Sequence, residues 1–493
     1  MDVHFEVVFT YEVIHKEAIE IGLTNKNGYI KCDHNILKLI REKFSVPNPS
    51  YTGRKFSPRK YVITPSGVFE IGLFHEIRTY IDSLDLPTKL VVSPEFENAF
   101  SPKYDEYAIE TLPNFTYYDH QSNTIAEFLK NGRGIGLLAT AGGKSLIIGG
   151  FIKTLLTHEP TSKILIIVPN TSLLNQLYYS FLEEFDLPVI SRWGDKNLPD
   201  WSMNVIIANT QILISDIPST IAKFQNFDCV IVDEVHRLGE KTNQINKIVH
   251  NIPTHHKFGL TGTLPDNLLA SWNVVGKIGP ILYEETSFDI RNKGSAADIR
   301  IKIVVCQHET KPVKPKRVGD IPLLPTAAYD LEKNFVYSNP TRNEIIKKIA
   351  YRSEGNVLIL VDTIEHGSTL YKQLSEGDKR VFFIQGSMNT DERRRILDIM
   401  EESDDIITIA MSQIFSTGIS VKNLPYVIFT AIGKSNVKIS QSIGRAMRLH
   451  HNKKEAVIYD IADNTDYSLD HLKQRIKLYE KERIPFETKK IKI

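Results

Sequence analysis

Residues 138–145 of the chain read Leu-Ala-Thr-Ala-Gly-Gly-Lys-Ser. A strand-sized apolar run at 136–139 leads into this stretch, and a helical pattern follows it. A glycine-rich turn between a strand and a helix lets backbone N–H groups close around phosphate oxygens. The stretch therefore predicts a phosphate-binding loop. Because Leu138 stands where the usual pattern has its first glycine, a glycine-rich turn without a ligand is the alternative for this segment alone.

The residues of this loop have distinct expected roles. Lys144 can reach the β- and γ-phosphates of a nucleoside triphosphate, and the Ser145 hydroxyl can hold Mg²⁺. The backbone of the residues before Lys144 would surround the phosphates. These residues are Thr140, Ala141, Gly142 and Gly143.

A pair of carboxylates ends a second apolar run. Residues 229–236 read Cys-Val-Ile-Val-Asp-Glu-Val-His. Asp233 can bind Mg²⁺, and Glu234 is then placed to orient and deprotonate an attacking water. Adjacent carboxylates are common on solvated surfaces, but they are much less common at the end of a buried strand that accompanies a phosphate loop. The two stretches together predict hydrolysis of a nucleoside triphosphate.

Apolar, strand-sized runs alternate with helical patterns in two regions of the chain. The first set of runs lies at 136–139, 164–168, 205–208, 230–232 and 258–260, and the second at 357–361, 381–384, 406–410, 426–429 and 456–461. Between them lie amphipathic stretches such as 172–185, whose Leu and Phe side chains fall on one helical face. This alternation predicts α/β lobes, each with a parallel sheet covered on both faces.

Four segments follow from this pattern. Residues 1–112 have a mixed pattern and are expected to form a small N-terminal α+β domain. Residues 113–290 form the first lobe, 291–335 the linker and start of the second lobe, and 336–493 the second lobe. The linker is indicated by a basic cluster and by four prolines, which are Pro312, Pro315, Pro322 and Pro325.

The composition is that of a soluble globular protein, with 42% hydrophobic and 24% charged residues. No stretch approaches the roughly 18 apolar residues of a membrane span, and the N-terminus lacks the pattern of a signal peptide. Cys32, Cys229 and Cys306 are far apart, which argues for a reducing compartment and against a zinc site. We therefore expect a cytoplasmic protein without a membrane partner. A net charge of +1 says nothing about nucleic acid.

Several motifs resemble those of the superfamily 2 helicases, in the order that this superfamily requires. Residues 233–236 look like its DExH box, 139–145 like motif I, 168–171 like motif Ia, 208–211 like motif Ib and 260–263 like motif III. Upstream, residues 118–121 resemble the adenine-recognising element, so the resemblance implies nucleotide contacts from Tyr118 and Gln121. It also implies that His236, Thr261 and Thr263 couple hydrolysis to lobe movement.

The second lobe carries two further resemblances. Residues 415–420 look like motif V, which implies that Gly418 lies at the nucleotide. Residues 441–448 match the QxxGRxxR pattern of motif VI, with Gln441 in the same cleft as the arginines. The guanidinium groups of Arg445 and Arg448 are expected to stabilise the charge that phosphoryl transfer spreads over the γ-phosphate. Because the two arginines are three residues apart, we expect both on one helical face.

The resemblance also implies the fold, the cofactors and the partner. It implies two tandem RecA-like lobes, ATP with Mg²⁺, and sequence-nonspecific contacts to a nucleic-acid backbone through motifs Ia, Ib and V. The residues that match those motifs are Pro169, Asn170, Thr171, Thr210, Gln211 and Thr417. The N-terminal segment joins aromatic to basic side chains, which suits DNA binding, although a core with a solvated rim gives the same composition.

Over the whole chain the sequence resembles the UvsW-type phage recombination helicases. The stretches that carry this resemblance are 72–78, 258–264 and 414–424. It implies an ATP-dependent DNA helicase that unwinds or remodels branched DNA in replication, recombination or repair, in the cytoplasm of a phage host.

Three other functions stay open at this point. They are an RNA helicase, a duplex-translocating motor subunit of a larger complex, and a non-catalytic DNA-binding scaffold. The scaffold predicts a damaged site, whereas Lys144, Asp233, Glu234, Arg445 and Arg448 are all present.

Overall fold

A computed structural model describes most of the chain. The described residues are 18–51, 57–92, 94, 106–139, 141–188, 190–194, 197–239, 244–254, 256–310, 317–318, 321–322, 325–412, 421–430, 436–451, 453 and 455–493. They divide into two compact units. Unit 1 comprises Met1–Leu138 and Gly143–Glu284, and unit 2 comprises Ala139–Gly142 and Glu285–Ile493. No helix among the described residues is long and apolar enough to cross a membrane.

The N-terminal part of unit 1 is a small mixed sheet with two helices. Its sheet has the order β5-β2-β1-β6, in which β1 pairs antiparallel with β2 and parallel with β6. The strands are β1 (Ile19–Leu23), β2 (Asn27–Lys31), β3 (Ser45–Pro47), β4 (Arg59–Tyr61), β5 (Val68–Glu70) and β6 (Thr88–Val92), and the helices are α1 (His34–Lys43) and α2 (Phe74–Asp82). The strands β3 and β4 form a separate hairpin.

The rest of unit 1 is a seven-stranded sheet with the order β13-β7-β12-β11-β8-β10-β9. The strands are β7 (Arg133–Leu138), β8 (Ile164–Val168), β9 (Ile190–Trp193), β10 (Val205–Asn209), β11 (Cys229–Asp233), β12 (His256–Thr261) and β13 (Ile281–Glu285). The pairings from β7 through β9 in this order are parallel. Strands β8, β10 and β12 are buried at every residue, which explains their unbroken apolar runs.

Helices cover this sheet, and polar side chains cap the starts of several of them. They are α3 (Asp119–Lys130), α4 (Lys144–His158), α5 (Thr171–Tyr179), α6 (Thr210–Ser215), α7 (Ile217–Lys223), α8 (Ile245–Asn251) and α9 (Leu268–Ile278). The amphipathic stretch 172–185 is α5 followed by a π-helical turn, Ser180–Glu184. Its apolar face packs into the core, with Leu174 and Phe181 fully buried.

The N-terminal sheet packs directly on α9. Gly72 lies so close to this helix that an added Cβ would come within 2.0 Å of the Val275 carbonyl oxygen. The Glu70 carboxylate accepts hydrogen bonds from Lys277 at 2.6 Å and is 3.0 Å from the Nδ1 atom of His250. Trp272 donates to the carboxylate of Glu76 at 3.1 Å. These contacts join the N-terminal sheet to the larger sheet within unit 1.

Unit 2 contains the other seven-stranded sheet, with the order β18-β19-β17-β20-β21-β14-β22. All of its pairings are parallel. Its strands are β14 (Asp298–Gln307), β15 (Arg317–Val318), β16 (Ile321–Pro322), β17 (Val357–Val361), β18 (Arg380–Ile384), β19 (Ile406–Met411), β20 (Tyr426–Phe429), β21 (Glu455–Asp463) and β22 (Phe486–Lys492). The short strands β15 and β16 pair with each other, apart from the sheet.

The helices of unit 2 are α10 (Ser287–Asn292), α11 (Pro325–Ser338), α12 (Pro340–Arg352), α13 (Ile364–Leu374), α14 (Thr390–Glu402), α15 (Asn436–Ala446) and α16 (Asp466–Lys481). Side-chain caps define several of their starts, as at Asn339 for α12, Thr363 for α13 and Asn389 for α14. Such a cap satisfies a backbone N–H that the first helical turn leaves without a partner.

The predicted fold class is confirmed: two parallel-sheet α/β lobes accompany a small N-terminal α+β sheet. Three of the predicted runs, 164–168, 357–361 and 426–429, are observed with the same bounds. The segment boundaries stay a prediction. Within the proposed linker segment, β14 belongs to the sheet of unit 2, and α11 begins at Pro325.

Candidate functional site

The predicted phosphate loop connects β7 to α4. The φ angle of Gly143 is +73°, and a Cβ added there would lie 2.3 Å from the Nε2 atom of Gln121. Both the backbone conformation and the lack of space therefore require glycine. Lys144 is the first residue of α4, so the helix N-terminus faces the loop. Thr140 lies outside the described residues, and Ala141 and Gly142 lie in the turn, where Gly142 N–H donates to the Ala139 carbonyl at 2.8 Å.

Gln121 is buried beside this loop. Its Oε1 atom accepts a hydrogen bond from the backbone N–H of Tyr118 at 3.0 Å, so its side chain caps the start of α3. Its amide nitrogen points to Gly143, as the close approach shows. The Tyr118 ring is 44% exposed and stacks on His120 with 5.8 Å between ring centroids. The structure thus brings Gln121 to the loop and leaves the Tyr118 ring open to a ligand.

Asp233 and Glu234 lie where β11 ends. Burial raises the pKa of Asp233 to about 6; the negative charge of Glu234 adds to this, while the positive charge of Lys144 opposes it. The φ angle of Glu234 is +52°, and its N–H donates to the Asp233 carboxylate at 2.9 Å. A non-glycine residue in this conformation is uncommon. Two partly buried carboxylates next to one ammonium are an arrangement that a divalent cation would stabilise, so this donor set fits Mg²⁺.

His236 connects the end of β11 to the end of β12. Its Nδ1 atom is 3.2 Å from a Glu234 carboxylate oxygen and 2.9 Å from the Thr261 hydroxyl oxygen. Thr261 donates its only hydroxyl hydrogen to the Thr263 carbonyl at 3.0 Å. The Thr261 oxygen must therefore accept from His236, which makes Nδ1 the protonated ring nitrogen. A chain of polar contacts thus runs from Glu234 through His236 and Thr261 to Thr263.

The candidate nucleic-acid contacts after β8 and β10 are bonded to one another. Thr210 donates its hydroxyl to the Pro169 carbonyl at 3.0 Å, and Asn209 donates its amide to the Thr171 hydroxyl at 3.0 Å. Asn170 uses its side chain to cap α5. The ring of Pro169 is buried, whereas Gln211 is exposed. Thr417 and Gly418 lie outside the described residues.

The sequence analysis did not single out Asn209, which ties these two segments together. Its side chain is 2% exposed and also caps α6 by accepting from the Ile212 N–H at 2.9 Å. The signal that could have found it is its position between an apolar strand and a helix, where an Asn is a preferred cap.

The arginines of unit 2 differ from the expectation in one respect. Arg445 lies in α15, but this helix ends at Ala446, so Arg448 is not on a helical face with it. That part of the prediction is wrong, because the chain leaves the helix between the two arginines. Arg445 is buried and Arg448 is partly buried, and desolvation lowers the pKa of Arg448. The backbone of Gln441 lies in α15, and its side chain is outside the described part of the structure.

A second buried network holds the segment that follows α15. Lys453 donates to the carbonyl oxygens of Ala446 at 2.9 Å and Lys422 at 2.8 Å, and burial lowers its pKa to about 8. Glu401 accepts from the backbone N–H groups of Lys422 at 2.8 Å and Asn423 at 3.3 Å. Sequence reasoning missed both side chains, since neither lies within a motif.

Two family matches cover the lobes. The family described as Type III restriction enzyme, res subunit, matches residues 113–266, and the Helicase conserved C-terminal domain matches residues 341–450. Both matched regions contain the motifs and the geometry described above. The chain belongs to the superfamily 2 helicases. Within them it resembles the UvsW type.

A curated relative extends this similarity to the N-terminal part of the helicase. The ATP-dependent DNA helicase uvsW of Enterobacteria phage T4 is 24% identical over 94% of this chain and 97% of its own. Among solved structures, the crystal structure of T4 UvsW is 23% identical, with a TM-score of 0.44 over 96% of this chain and 99% of its own.

A third similarity concerns the fold alone. The ATP-dependent Type ISP restriction-modification enzyme LlaBIII bound to DNA gives a TM-score of 0.57 at 15% identity. The match covers 85% of this chain and 34% of that chain.

Proposed function

We propose that this helicase uses ATP with Mg²⁺ to unwind or remodel branched DNA in replication, recombination or repair. The similarity to the T4 DNA helicase supports DNA as the partner, since it extends over nearly the full length of both chains. The observation that carries the ATPase part is the cluster of Lys144, Asp233 and Glu234. Burial and the Glu234 charge raise the pKa of Asp233, and Lys144 lies close enough for its positive charge to oppose them.

The proposed chemistry assigns one task to each of these side chains. Lys144 binds the β- and γ-phosphates of ATP, and the backbone of the loop before it surrounds them. Ser145 and Asp233 would hold Mg²⁺, which when bound neutralises developing phosphate charge. Glu234 orients and deprotonates the attacking water. Tyr118 stacks on the adenine, and Gln121 contacts the base or the loop.

The arginines of unit 2 are proposed to act on the transferring phosphoryl group. Arg445 and Arg448 would stabilise the charge that spreads over the γ-phosphate, and Gln441 would lie with them. Because the guanidinium groups are held in a buried framework, little reorganisation is needed at the moment of reaction. Lys453 and Glu401 support that framework through the backbone on both sides of it.

The path through His236 is proposed to couple hydrolysis to movement. When Glu234 takes a proton from water, its attraction for the Nδ1–H group of His236 weakens, and the hydrogen bond to Thr261 gains relative strength. Thr263 is connected to this change because its carbonyl accepts the hydroxyl hydrogen of Thr261. The protonation state of the base is thereby transmitted to the end of β12.

The proposed DNA contacts lie after β8 and β10, at Asn170, Thr171, Thr210 and Gln211, and in the undescribed stretch containing Thr417. The N-terminal sheet would add a second contact surface. There Arg41 lies over the Tyr61 ring at 4.5 Å and Lys43 over the Tyr80 ring at 5.6 Å. Such pairs of basic and aromatic side chains suit the phosphates and bases of single strands. The host cytoplasm is the proposed location.

The test is ATP hydrolysis by the purified full chain. It is measured without nucleic acid, with single-stranded DNA, with duplex DNA, with a four-way DNA junction and with structured RNA, and strand separation is followed in parallel. We expect stimulation by DNA that is strongest with the junction, and its loss in Lys144→Ala. The matched control is Lys130→Ala, which removes an exposed lysine from the neighbouring helix α3.

The other outcomes separate the remaining functions. Stimulation by RNA alone would assign the motor to RNA, and stimulation by duplex DNA without strand separation would indicate a translocating motor. No hydrolysis under any of these conditions would contradict the proposal and favour a scaffold.

A further inference from the structure

The described part of unit 2 contains a cavity of about 50 Å³ at the carboxyl ends of β20 and β21. The helices α11 and α16 form its walls. The carboxyl end of a parallel sheet is where ligands bind in open α/β folds. None of the residues assigned above to hydrolysis lines this cavity.

Arg342 is the central side chain of this cavity and is fully buried. Its Nε atom donates to the Asp463 carboxylate at 3.0 Å, and its Nη2 atom donates to the Thr430 carbonyl. Its Nη1 atom has no hydrogen-bond partner among the described protein residues. A guanidinium group stays charged in proteins, and leaving such a buried donor without an acceptor costs about 1–3 kcal/mol. The cavity beside Arg342 can therefore hold a ligand whose oxygen accepts a hydrogen bond from the Nη1 atom.

The carboxylates of the cavity are already engaged by the protein. Asp463 accepts from Arg342 and is 2.9 Å from the Nε2 atom of His308. Glu332 accepts the backbone N–H of Ser468 at 3.0 Å. The Asp463 carboxylate is thus offset by Arg342, which leaves the Nη1 atom of Arg342 as the donor that an anion in the cavity can reach.

Further donors lie at the cavity wall. Lys333 lies 5.6 Å above the Tyr329 ring, and its partner Asp330, 3.3 Å away, is 60% exposed. A surface ion pair of this kind is worth little, so a ligand can draw the ammonium inward. Burial raises the pKa values of Tyr329 and Tyr337, which keeps both hydroxyl groups protonated and able to donate.

The size of the cavity selects the ligand. One water needs about 10–15 Å³ of cavity volume, so a space of about 50 Å³ is of the order that a small tetrahedral oxyanion requires. We infer that this cavity binds one phosphate group through Arg342 and Lys333, either as a free oxyanion or as part of a nucleic-acid backbone. This inference is independent of the proposed ATPase function.

The first experiment uses inorganic phosphate as the probe. Thermal unfolding of the full chain is measured in phosphate and in chloride at equal ionic strength, with Lys144→Ala in every sample to remove binding at the phosphate loop. We expect phosphate to raise the midpoint by about 2–4 °C. Lys333→Gln should weaken the apparent phosphate affinity roughly tenfold, since one charged hydrogen-bond donor is lost. Lys348→Gln is the matched control, because Lys348 is 61% exposed on α12.

The second experiment distinguishes the source of the phosphate. Binding of a single-stranded DNA oligonucleotide is measured over a range of salt concentrations. If the cavity binds a backbone phosphate, Lys333→Gln lowers the salt dependence of the DNA affinity by about the value of one phosphate contact. In that case inorganic phosphate does not change the unfolding midpoint.

Arg342→Lys is compared in both experiments after circular dichroism has shown that it folds. If phosphate shifts the unfolding of Lys333→Gln and of the parent equally, and the salt dependence is also unchanged, the inference is overturned. Because ATP hydrolysis is not measured, this failure is distinct from a failure of the proposed function.

Discussion

Replacing Glu70 by Gln should loosen the N-terminal sheet from the larger sheet of unit 1. Glu70 lies in β5 and joins Lys277 and His250 across this contact. Burial raises the pKa of Glu70, but the His250 hydrogen bond and the Lys277 charge outweigh it and lower the pKa from 4.5 to about 2. Gln keeps the shape of the side chain and removes the negative charge. Lys277 and His250 then lose the partner that offsets their burial.

The magnitude follows from this pKa shift. One unit corresponds to about 1.4 kcal/mol, so the difference between folded and unfolded states is about 3 kcal/mol at neutral pH. The side chain is 31% exposed, and solvent screening reduces the expected effect to about 2 kcal/mol. Because the folded pKa is depressed, this stabilisation is fully present above pH 4.5. It is lost as the pH falls from there toward 2, and about half is lost near pH 3.

Trp272 provides the assay, since its indole donates to Glu76 within the same contact. Trp193 and Trp201, the other two tryptophans, are replaced by Phe so that fluorescence reports this contact alone. Urea unfolding is followed at pH 7 and at pH 3.

The control for this measurement is Glu20→Gln, which removes an exposed ion pair to Lys31 and should change stability by less than about 0.5 kcal/mol. Equal midpoints for Glu70→Gln and the parent at pH 7 would refute the reasoning. So would a difference that does not shrink at pH 3.

Four further variants test the candidate site. Gly143→Ala should reduce ATP hydrolysis at least tenfold and leave folding intact, because the new Cβ would displace Gln121; unchanged hydrolysis in a steady-state assay would contradict this. His236→Ala should keep at least a tenth of the DNA-stimulated ATPase rate but lose most strand separation, and Thr261→Val should behave alike; a proportional loss of both activities in either variant would argue against coupling. Glu401→Gln should lower the ATPase kcat about three- to tenfold with little change in KM, and an unchanged kcat would show that this network does not position the arginines.

The sequence by itself determined the two lobes and indicated a candidate site, whose chemistry stays a prediction. Buried parallel strands are apolar at every position, so runs such as 164–168 and 357–361 can be read from local composition. The glycine-rich loop and the carboxylate pair follow such strands directly. Their positions along the chain therefore indicate that they meet at one edge of a sheet.

Strands that depend on backbone pairing could not be predicted in this way. The edge strand β22 is exposed at nearly every residue and carries three lysines, so its sequence looks like a basic surface segment. Its place is set by parallel pairing with β14, whose own outer residues are charged. Hydrogen bonds between distant backbones leave little trace in side-chain composition.

Only the tertiary structure decided which side chains of different segments meet. Glu70 and Lys277 are 207 residues apart in the chain, and Arg342 and Asp463 are 121 residues apart, yet both pairs are in contact. A charged residue that will be buried against a distant partner looks, in sequence, like one on a solvated surface. Its burial depends on the packing of whole elements, which is why the N-terminal contact, the network at Lys453 and the cavity at Arg342 could be recognised only in the folded chain.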